Sequence, residues 1–319
     1  MSLPPITFTR LRFSLTPRRD LRLPPDYHPG ALVRDHFGTS LKHVACHQPW
    51  HPCGETCALP GRCAFGRLFA PQARDEKEGP PSRDLYRPFI LEPPEVPVEG
   101  FTAETTLQLD MVLIGKAREE IRVVVSAFEE MARHGLGAGR QAWQLARITT
   151  LDGASEPETP IYEGATGQFV APPPESGTEK IIAEAERLSQ TEIEVELLTP
   201  LRLQQRRMTA LDLPFSVWAQ AQVRRADDLA RDWCDAADIP DRAPMLEHWQ
   251  NTIELTCKDL RWERWSRGHI REDRLALSGW RGTLGFRGDL SEFRSWLALG
   301  EILHVGKQTG FGLGKYQCR

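Results

Sequence analysis

The sequence of 319 residues predicts an α+β protein in two domains, each of which mixes strands with helices. Each half opens with a stretch that alternates apolar and polar residues, ITFTRLRFSL in the first and TEIEVELLTPLRL in the second, as is typical of half-buried strands. Residues with helical apolar spacing follow both strands. Between the halves, a stretch rich in Pro, Gly, Glu and Ser lacks the apolar residues of a core.

The first domain is predicted to cover residues 1–151. Because Gly135 follows the second helical pattern, and glycine is common just past a helix C-terminus, we expect that helix to end there. The order of elements favours the split βαββαβ unit. The patterns predict a strand at 6–15, a helix at about 31–46, a cysteine-rich loop at 46–64, a strand at about 99–115, a helix over REEIRVVVSAFEEMARHG and a strand over RQAWQLARIT.

The second domain is predicted at 190–319, after an acidic Pro/Gly-rich linker at 152–189. It repeats the order of the first domain, so the chain is predicted to be a duplicated α+β domain. After its opening strand we expect a helical insertion at 214–258 with helices at about 214–237 and 243–258, a hairpin over LALSGWRGTLGFRGDL, a short helix over SEFRSWLALGEILHV and a final strand.

The composition is that of a globular protein, with 40% hydrophobic and 26% charged residues. No apolar run approaches the roughly 18–20 residues of a membrane span, and we expect no signal peptide. Seven cysteines are an odd number in a long chain without an export signal, which argues against a disulfide framework. We therefore expect a reduced, cytoplasmic protein.

The net charge of −4 is unevenly distributed along the chain. Residues 152–198 hold eleven Asp and Glu residues but only two Lys and Arg residues, so the rest of the chain carries a net charge of +5. Because phosphate contacts depend on the local field rather than on the total charge, a nucleic acid remains a candidate partner.

The most glycine-dense stretch, HVGKQTGFGLGKYQ, covers residues 304–317. Glycines at alternate positions suit a backbone that takes positive φ or approaches another group closely. Backbone N–H groups flanked by lysines can form an anion cradle, although the Walker pattern GxxxxGK[ST] is absent. The alternative is that these glycines only allow a loop to pack tightly against a helix.

This stretch resembles the C-terminal glycine-rich loop of the CRISPR repeat-processing endoribonucleases, the Cas6 family of the RAMP superfamily. Two upstream segments, WERWSRGHIREDRLALSGWRGTLGFRGDL and VELLTPLRL, are similar to segments in the second half of that family. In the first half, GALVRDHFGTSLKHVAC and the cysteine-bearing loop that ends in CAFGRLFAP resemble one branch of the family.

The resemblance implies tandem ferredoxin-like, or RRM-like, domains and metal-independent cleavage of CRISPR repeat RNA. In that reaction a 2′-hydroxyl attacks the adjacent phosphate, which leaves a 2′,3′-cyclic phosphate and a 5′-hydroxyl. The implied partners are the crRNA precursor and other subunits of a CRISPR effector complex. The family's glycine-rich loop helps to hold RNA, which assigns RNA binding to Gly306, Lys307, Gly310, Gly312, Gly314 and Lys315.

Such chemistry requires a base for the 2′-hydroxyl, an acid for the leaving oxygen and positive charge near the phosphorane. In the family these groups lie on and just after the first helix. This chain offers there the catalytic candidates Arg34, His36, His43 and His47, and the RNA-binding candidate Lys42.

Arg34 stands where members of the family often have tyrosine. Because its pKa stays above about 12, an arginine can stabilise a phosphorane but is no base near neutral pH. His36 and His43 are seven residues apart and share one helix face, so they can line a groove. Exposed helix histidines without a role are the alternative.

Four cysteines among prolines and glycines follow the pattern C-x6-C-x3-C-x5-C. The set suits a tetrahedral zinc site, which would be structural because four thiolates leave no open position. His47 or His51 could replace a ligand, and a buried cysteine cluster without metal is the alternative. The four candidate ligands are Cys46, Cys53, Cys57 and Cys63.

Two basic strips carry the remaining RNA-binding candidates. RLQQRR contains Arg206 and Arg207, and KDLRWERWSRGHIRE contains Arg264 and Arg267 beside two tryptophans. Arginines interleaved with aromatic residues suit phosphate contact and base stacking. The alternative is a solvated face with tryptophans in the core.

The favoured function is therefore an endoribonuclease that makes crRNA and needs no cofactor for catalysis. A non-catalytic crRNA-binding subunit is the second interpretation, and the presence of a correctly placed base separates the two. A phosphate- or nucleotide-binding protein outside CRISPR systems ranks last, because the chain has no P-loop or Rossmann fingerprint.

Overall fold

A computed structural model describes residues 2–20, 29–51, 53, 57, 62–73, 83–92, 102, 105–136, 140, 142–151, 158–205, 208–209, 213–265 and 277–319. The chain divides into two compact units. One comprises Phe8–Glu175, and the other comprises Met1–Thr7 together with Ser176–Arg319. Within these described ranges, no helix combines the length and apolarity needed to cross a membrane.

The unit at Phe8–Glu175 is built on one sheet, with the strand order β4-β5-β1-β6-β7-β8. The central strand β1 is antiparallel to both β5 and β6, which gives the ferredoxin-like order for its βαββαβ elements. The elements are β1 (Thr7–Pro17), α1 (Pro29–Ala45), α2 (Ala64–Leu68), β2 (Gln72–Ala73), β3 (Arg83–Asp84), β4 (Phe89–Glu92), β5 (Leu107–Ile114), α3 (Ile121–His134), β6 (Trp143–Thr150), β7 (Pro160–Glu163) and β8 (Gln168–Phe169).

Helices α1 and α3 pack together over one face of this sheet. Alternate residues of β1, including Leu11 and Phe13, are buried, as a strand with one covered face requires. Phe13 stacks on Phe128 of α3 at a ring-centroid distance of 4.0 Å, and Phe128 stacks on Phe37 of α1 at 5.0 Å. This aromatic stack joins the sheet to both helices.

The second unit contains a four-stranded sheet with the order β13-β14-β10-β15, which is again ferredoxin-like. The pairing of β15 with β10 confirms that the last strand lies inside the second domain. The elements are β9 (Ser176–Gly177), α4 (Thr178–Ala185), β10 (Glu192–Leu201), β11 (Gln204–Gln205), β12 (Met208–Thr209), α5 (Phe215–Trp233), α6 (Ala243–Thr252), β13 (Ile253–Trp265), β14 (Leu277–Gly288), α7 (Phe293–Leu303) and β15 (Tyr316–Cys318).

A buried ion pair helps to fix the helices of the second unit. Arg242 donates to both carboxylate oxygens of Asp227 at 3.1 and 3.2 Å, and its guanidinium lies 5.0 Å from the ring centroid of Trp296. The same guanidinium donates to the carbonyl of Ser2 at 3.0 Å, which holds the N-terminal residues in this unit. Because both charges are buried, removal of either partner would leave an uncompensated ion.

The structure corrects three sequence predictions. The segment LALSGWRGTLGFRGDL, predicted as a hairpin, contains the single strand β14, which pairs with β13 and β10. Residues 160–185, placed in a linker by their composition, form β7, β8, β9 and α4, and they bury Ile161, Tyr162 and Ile181. Their strands are too short for the alternating pattern to be recognised. The second inserted helix ends at Thr252 rather than about 258, because the apolar spacing from Ile253 onward has a period of two and forms β13.

Candidate functional site

Two histidines lie close together at the ends of the helix pair in the first unit. The ring centroids of His43, in the last turn of α1, and His134, the last residue of α3, are 6.3 Å apart. The His134 side chain is 56% exposed, so the pair is open to solvent. The sequence predicts a role for His43 but none for His134.

The His134 ring is oriented by its own helix. Its Nδ1 lies 3.1 Å from the carbonyl oxygen of Glu130 and 3.1 Å from the carboxylate of the same residue. Because both oxygens only accept, Nδ1 carries the proton and donates it, which leaves Nε2 as the atom that can exchange a proton. A carboxylate that accepts a hydrogen bond from Nδ1 holds the imidazole in this tautomer, as in acid–base triads.

A short loop folds back over the C-terminal end of α1. Lys42 donates through Nζ to the carbonyl of His51 at 2.6 Å, and the amide of His51 donates to the carbonyl of Gln48 at 3.1 Å. The loop carries Trp50, whose ring centroid lies 5.2 Å from that of His43. These contacts bring Lys42, His43 and Trp50 together at one end of the helix pair.

The other candidates of the first helix lie elsewhere along it. Arg34 is nine residues before His43, or about 13 Å along a helix axis. Its guanidinium pairs with Asp35 at 3.0 Å and lies 4.4 Å from the ring centroid of Phe69. His36 donates from Nδ1 to the carbonyl of Leu32 at 2.8 Å. His47 is exposed, two residues beyond the end of α1.

The sequence contained a signal for His134 that was not used. Glu130 and His134 are separated by four residues, so a carboxylate and an imidazole share one helix face. The same spacing occurs on many surface helices, however, and only the packing of α3 against α1 places this histidine beside His43.

The glycine-rich loop in the second unit is held by backbone hydrogen bonds. Gly306, Gly312 and Gly314 have φ values of 88°, 83° and 73°, which favour glycine. A Cβ on Gly314 would lie 1.9 Å from the carbonyl oxygen of Val305. The short turn Thr309–Phe311, which includes Gly310, is buried. The packing interpretation of the glycines therefore accounts for their positions.

Several amides of this loop already donate within the chain. The N–H of Lys307 donates to the Arg202 carbonyl at 2.9 Å, and that of Gly314 donates to the Pro200 carbonyl at 3.1 Å. The N–H of Lys315 donates to Thr199 Oγ1 at 2.8 Å. An anion cradle made from these amides is therefore not supported, and the Lys307 side chain, which is exposed, remains the candidate anion contact.

The basic strip of β13 is partly neutralised. Arg264 is exposed, whereas Arg261 and Arg281 both pair with Glu263, at 2.9 and 3.4 Å. Partial burial opposes ionisation of Glu263, but the hydrogen bond from Arg261 and the charge of Arg281 lower its pKa. Trp262 packs edge-on against Trp280 at 5.2 Å. The predicted RNA contacts Arg206, Arg207 and Arg267 lie outside the described residues.

Among the described residues, no group of three or more His, Cys, Asp or Glu side chains is arranged to hold a metal ion. The four predicted cysteine ligands all lie among these residues and are not gathered into such a group, although they are near enough to affect the ionisation of Cys53. Partial desolvation raises the pKa of the Cys53 thiol, the Lys42 ammonium lowers it, and the thiols of Cys46, Cys57 and Cys63 raise it. The four-cysteine zinc site stays a prediction.

The two ferredoxin-like units define an α+β protein with two main sheets. Each half of the chain matches a known family model. Residues 4–174 match a family model described as an N-terminal domain, and residues 195–316 match the model of the CRISPR-associated endoribonuclease Cas6. The second unit therefore contains a region that matches the Cas6 family model. No curated protein sequence matches the chain.

Solved structures show the same fold at low sequence identity. A Cas6 product complex has 18% identity and a TM-score of 0.54, with coverage of 98% of this chain and 100% of that chain. Thermus thermophilus Cas6 has 14% identity and a TM-score of 0.50, with full coverage of both chains. A partial Cas6-RT-Cas1–Cas2 complex has 13% identity and a TM-score of 0.58, with coverage of 100% of this chain and 46% of that chain.

The packing role of the loop can be tested by Gly314→Ala. We expect this substitution to lower the free energy of unfolding by about 2 kcal/mol or more, because the new Cβ meets the Val305 carbonyl and the positive φ disfavours alanine. Lys307→Ala is the matched control and should change stability by less than about 0.5 kcal/mol. Urea unfolding measures both values, and equal stability of the two variants would show that the loop does not need this glycine.

Proposed function

We propose that this protein is an endoribonuclease that recognises and cleaves CRISPR repeat RNA to make mature crRNA. The family model over residues 195–316 supports RNA cleavage in general. The observation that supports a particular mechanism is the pair of imidazoles, His43 and His134, whose ring centroids are 6.3 Å apart on two different helices.

The two histidines provide both proton transfers of a 2′-hydroxyl attack. One imidazole removes the proton of the 2′-hydroxyl as its oxygen forms a bond to the adjacent phosphorus. The other donates a proton to the 5′-oxygen as the bond from phosphorus to that oxygen breaks. The products are a 2′,3′-cyclic phosphate and a 5′-hydroxyl. Since side chains supply both transfers, the reaction needs no metal-bound water.

Positive charge near the pair stabilises the phosphorane. Lys42 precedes His43 in the chain, and among the described residues its ammonium donates one hydrogen bond, to the His51 carbonyl. We assign RNA binding to Lys42 in this unit. In the second unit we assign it to the exposed side chains of Lys307 and Arg264, to Lys315 of the same glycine-rich loop, and to Arg206, Arg207 and Arg267.

Arg34 and His36 are not part of the histidine pair, but supporting roles are still proposed for them. Both remain proposed members of the active site from the family resemblance, as does His47 at the end of the first helix. The side chain of Arg34 is only 12% exposed, and its cation lies over the Phe69 ring, so its role would be to position the helix or to add charge rather than to transfer a proton.

The proposed partners are the crRNA precursor and other CRISPR proteins. One structural relative is part of a Cas6-RT-Cas1–Cas2 complex, which makes stable association with other CRISPR subunits a reasonable proposal for this chain. The second candidate function, a non-catalytic crRNA-binding subunit, is favoured by one observation, the arginine at position 34 where tyrosine is common in the family.

We also propose that Cys46, Cys53, Cys57 and Cys63 hold one structural zinc ion. The Sγ atom of Cys46 accepts a hydrogen bond from the Gln48 amide at 3.4 Å, and the Sγ atom of Cys63 accepts one from the Gly66 amide at 3.3 Å. Such N–H donors stabilise ligand thiolates. Bound zinc would fix the loop that follows α1, and it would supply no catalytic chemistry.

The reaction type is tested by cleavage of the cognate repeat RNA in EDTA. We expect full activity, a 5′-hydroxyl on one fragment and a 2′,3′-cyclic phosphate on the other. A repeat with a single 2′-deoxy substitution at the cleavage site should bind normally and remain uncut, because the attacking oxygen is missing. A 3′-hydroxyl product would contradict the mechanism, and a wild-type protein that binds but never cuts would favour the non-catalytic subunit.

The histidine pair is tested by His43→Ala and His134→Ala under single-turnover conditions. We expect each variant to cut about 10²–10⁴-fold more slowly, because each loses one proton transfer, while its RNA affinity stays nearly unchanged. His248→Ala, which removes an exposed histidine of α6 in the other unit, is the matched control, and its rate should stay near that of the wild type. If His36→Ala or His47→Ala alone abolishes cleavage, the pair is wrongly assigned.

The zinc proposal is tested by elemental analysis of protein purified without added metal. We expect about one zinc ion per chain, and we expect Cys57→Ser to reduce this value strongly. Cys234→Ser, which changes a cysteine of the other unit, is the control and should retain zinc. A value near zero for a folded wild-type chain would eliminate the site.

A further inference from the structure

Trp50 is the most exposed large apolar side chain among the described residues, with 82% of its surface open to solvent. Tryptophan carries a large apolar surface that is normally buried at least in part. Burial in the core therefore does not explain this residue. Its ring nevertheless has a defined neighbour, because its centroid lies 5.2 Å from that of His43 and the two planes are tilted by 60°.

The loop that carries Trp50 is tied to α1 at both ends. At one end, the amide of Cys46 donates to the carbonyl of Lys42 at 3.0 Å. At the other end, the Lys42 ammonium donates to the carbonyl of His51 at 2.6 Å, directly after the tryptophan. The ring is therefore presented to solvent by a restrained backbone, which lowers the entropy lost when a ligand stacks on it.

We propose that Trp50 is a stacking platform for one unpaired nucleobase of the RNA, next to the phosphate that is cleaved. This inference rests on the proposed function, since it places a base beside the His43–His134 pair. Trp50 is a binding residue here and transfers no proton. It selects the cleaved linkage by holding the adjacent nucleotide in place.

The chemistry around the ring favours a nucleotide as the ligand. A nucleotide combines a flat π face with an anionic phosphate, and this end of α1 combines an exposed indole with the Lys42 ammonium and two imidazoles. Stacking on aromatic side chains is how proteins commonly hold unpaired bases, and it tolerates any base because each has a π face. A cation and an exposed indole side by side match both parts of this ligand.

The test is a thermodynamic cycle that combines Trp50→Ala with abasic nucleotides placed singly along the repeat. The RNA carries a 2′-deoxy substitution at the cleavage site, so only binding is measured. We expect Trp50→Ala to weaken binding by about 5- to 150-fold, the range for loss of one stacked base. At one position next to the cleavage site, the abasic RNA should bind the wild type equally weakly and should lose nothing further with the variant.

Two further variants separate stacking from general loss of apolar surface. Trp50→Phe should recover most of the affinity because it restores a π face. Val44→Ala, which truncates an exposed apolar residue near the end of α1, should bind like the wild type. Since Trp50 is so exposed, its replacement removes no core packing and the variants should fold normally. Circular dichroism and urea unfolding check this point.

The proposal is overturned if Trp50→Ala binds as tightly as the wild type, or if its effect adds to that of the abasic nucleotide at every position. It is also overturned if coupling appears only far from the cleavage site. These outcomes differ from failure of the proposed function. A protein that shows the expected coupling but never cuts natural RNA would retain the platform and lose the nuclease assignment.

Discussion

The stack of Phe13, Phe37 and Phe128 is the constraint on which the candidate active site depends. It joins the central strand of the first sheet to α1 and α3, with ring-centroid distances of 4.0 and 5.0 Å. All three rings are fully buried, so their contacts fix how the two helices lie against each other. His43 and His134 lie beyond this stack on the same two helices. The separation of the imidazoles is therefore set by the core rather than by a flexible loop.

The second unit uses its glycines for a different purpose. Thr199 of β10 donates through Oγ1 to the Gly312 carbonyl at 2.8 Å and accepts the Lys315 amide at 2.8 Å. His304 donates from Nδ1 to the Leu313 carbonyl at 3.2 Å. The glycines allow the tight turns between α7 and β15 that these contacts require. In this account the loop shapes a surface, and its lysine side chains provide the charge.

Much of the fold could be predicted from the sequence because it depends on local patterns. The alternation in ITFTRLRFSL predicted β1, and the apolar spacing of REEIRVVVSAFEEMARHG predicted α3 up to Gly135. The duplicated split βαββαβ order is confirmed in both sheets. The four-residue strand β7 and the start of β13 were not recognised, because a short strand has too few residues to show a period and Ile253 follows a helical pattern directly.

Only one of the two histidines in the candidate site could be predicted from the sequence. His43 stood out as a histidine on the first helix, but its partner lies 91 residues away on α3 and is brought close only by tertiary packing. The extent of a backbone cradle was unpredictable for a similar reason. The glycine pattern is compatible with both anion binding and tight packing, and only the structure shows that the amides of Lys307, Gly314 and Lys315 already donate to groups outside the loop.

The central claim is that His43 and His134 divide the proton transfers between them. The most direct test uses a repeat RNA in which the leaving 5′-oxygen is replaced by sulfur, because a thiolate leaves readily without a proton and so makes the general acid unnecessary. Single-turnover rates of His43→Ala and His134→Ala are measured with the oxygen and the sulfur substrates. The account predicts that sulfur restores nearly the wild-type rate to one of the two variants and leaves the other slow. If sulfur restores the cleavage rate of both variants, or of neither, the account is contradicted.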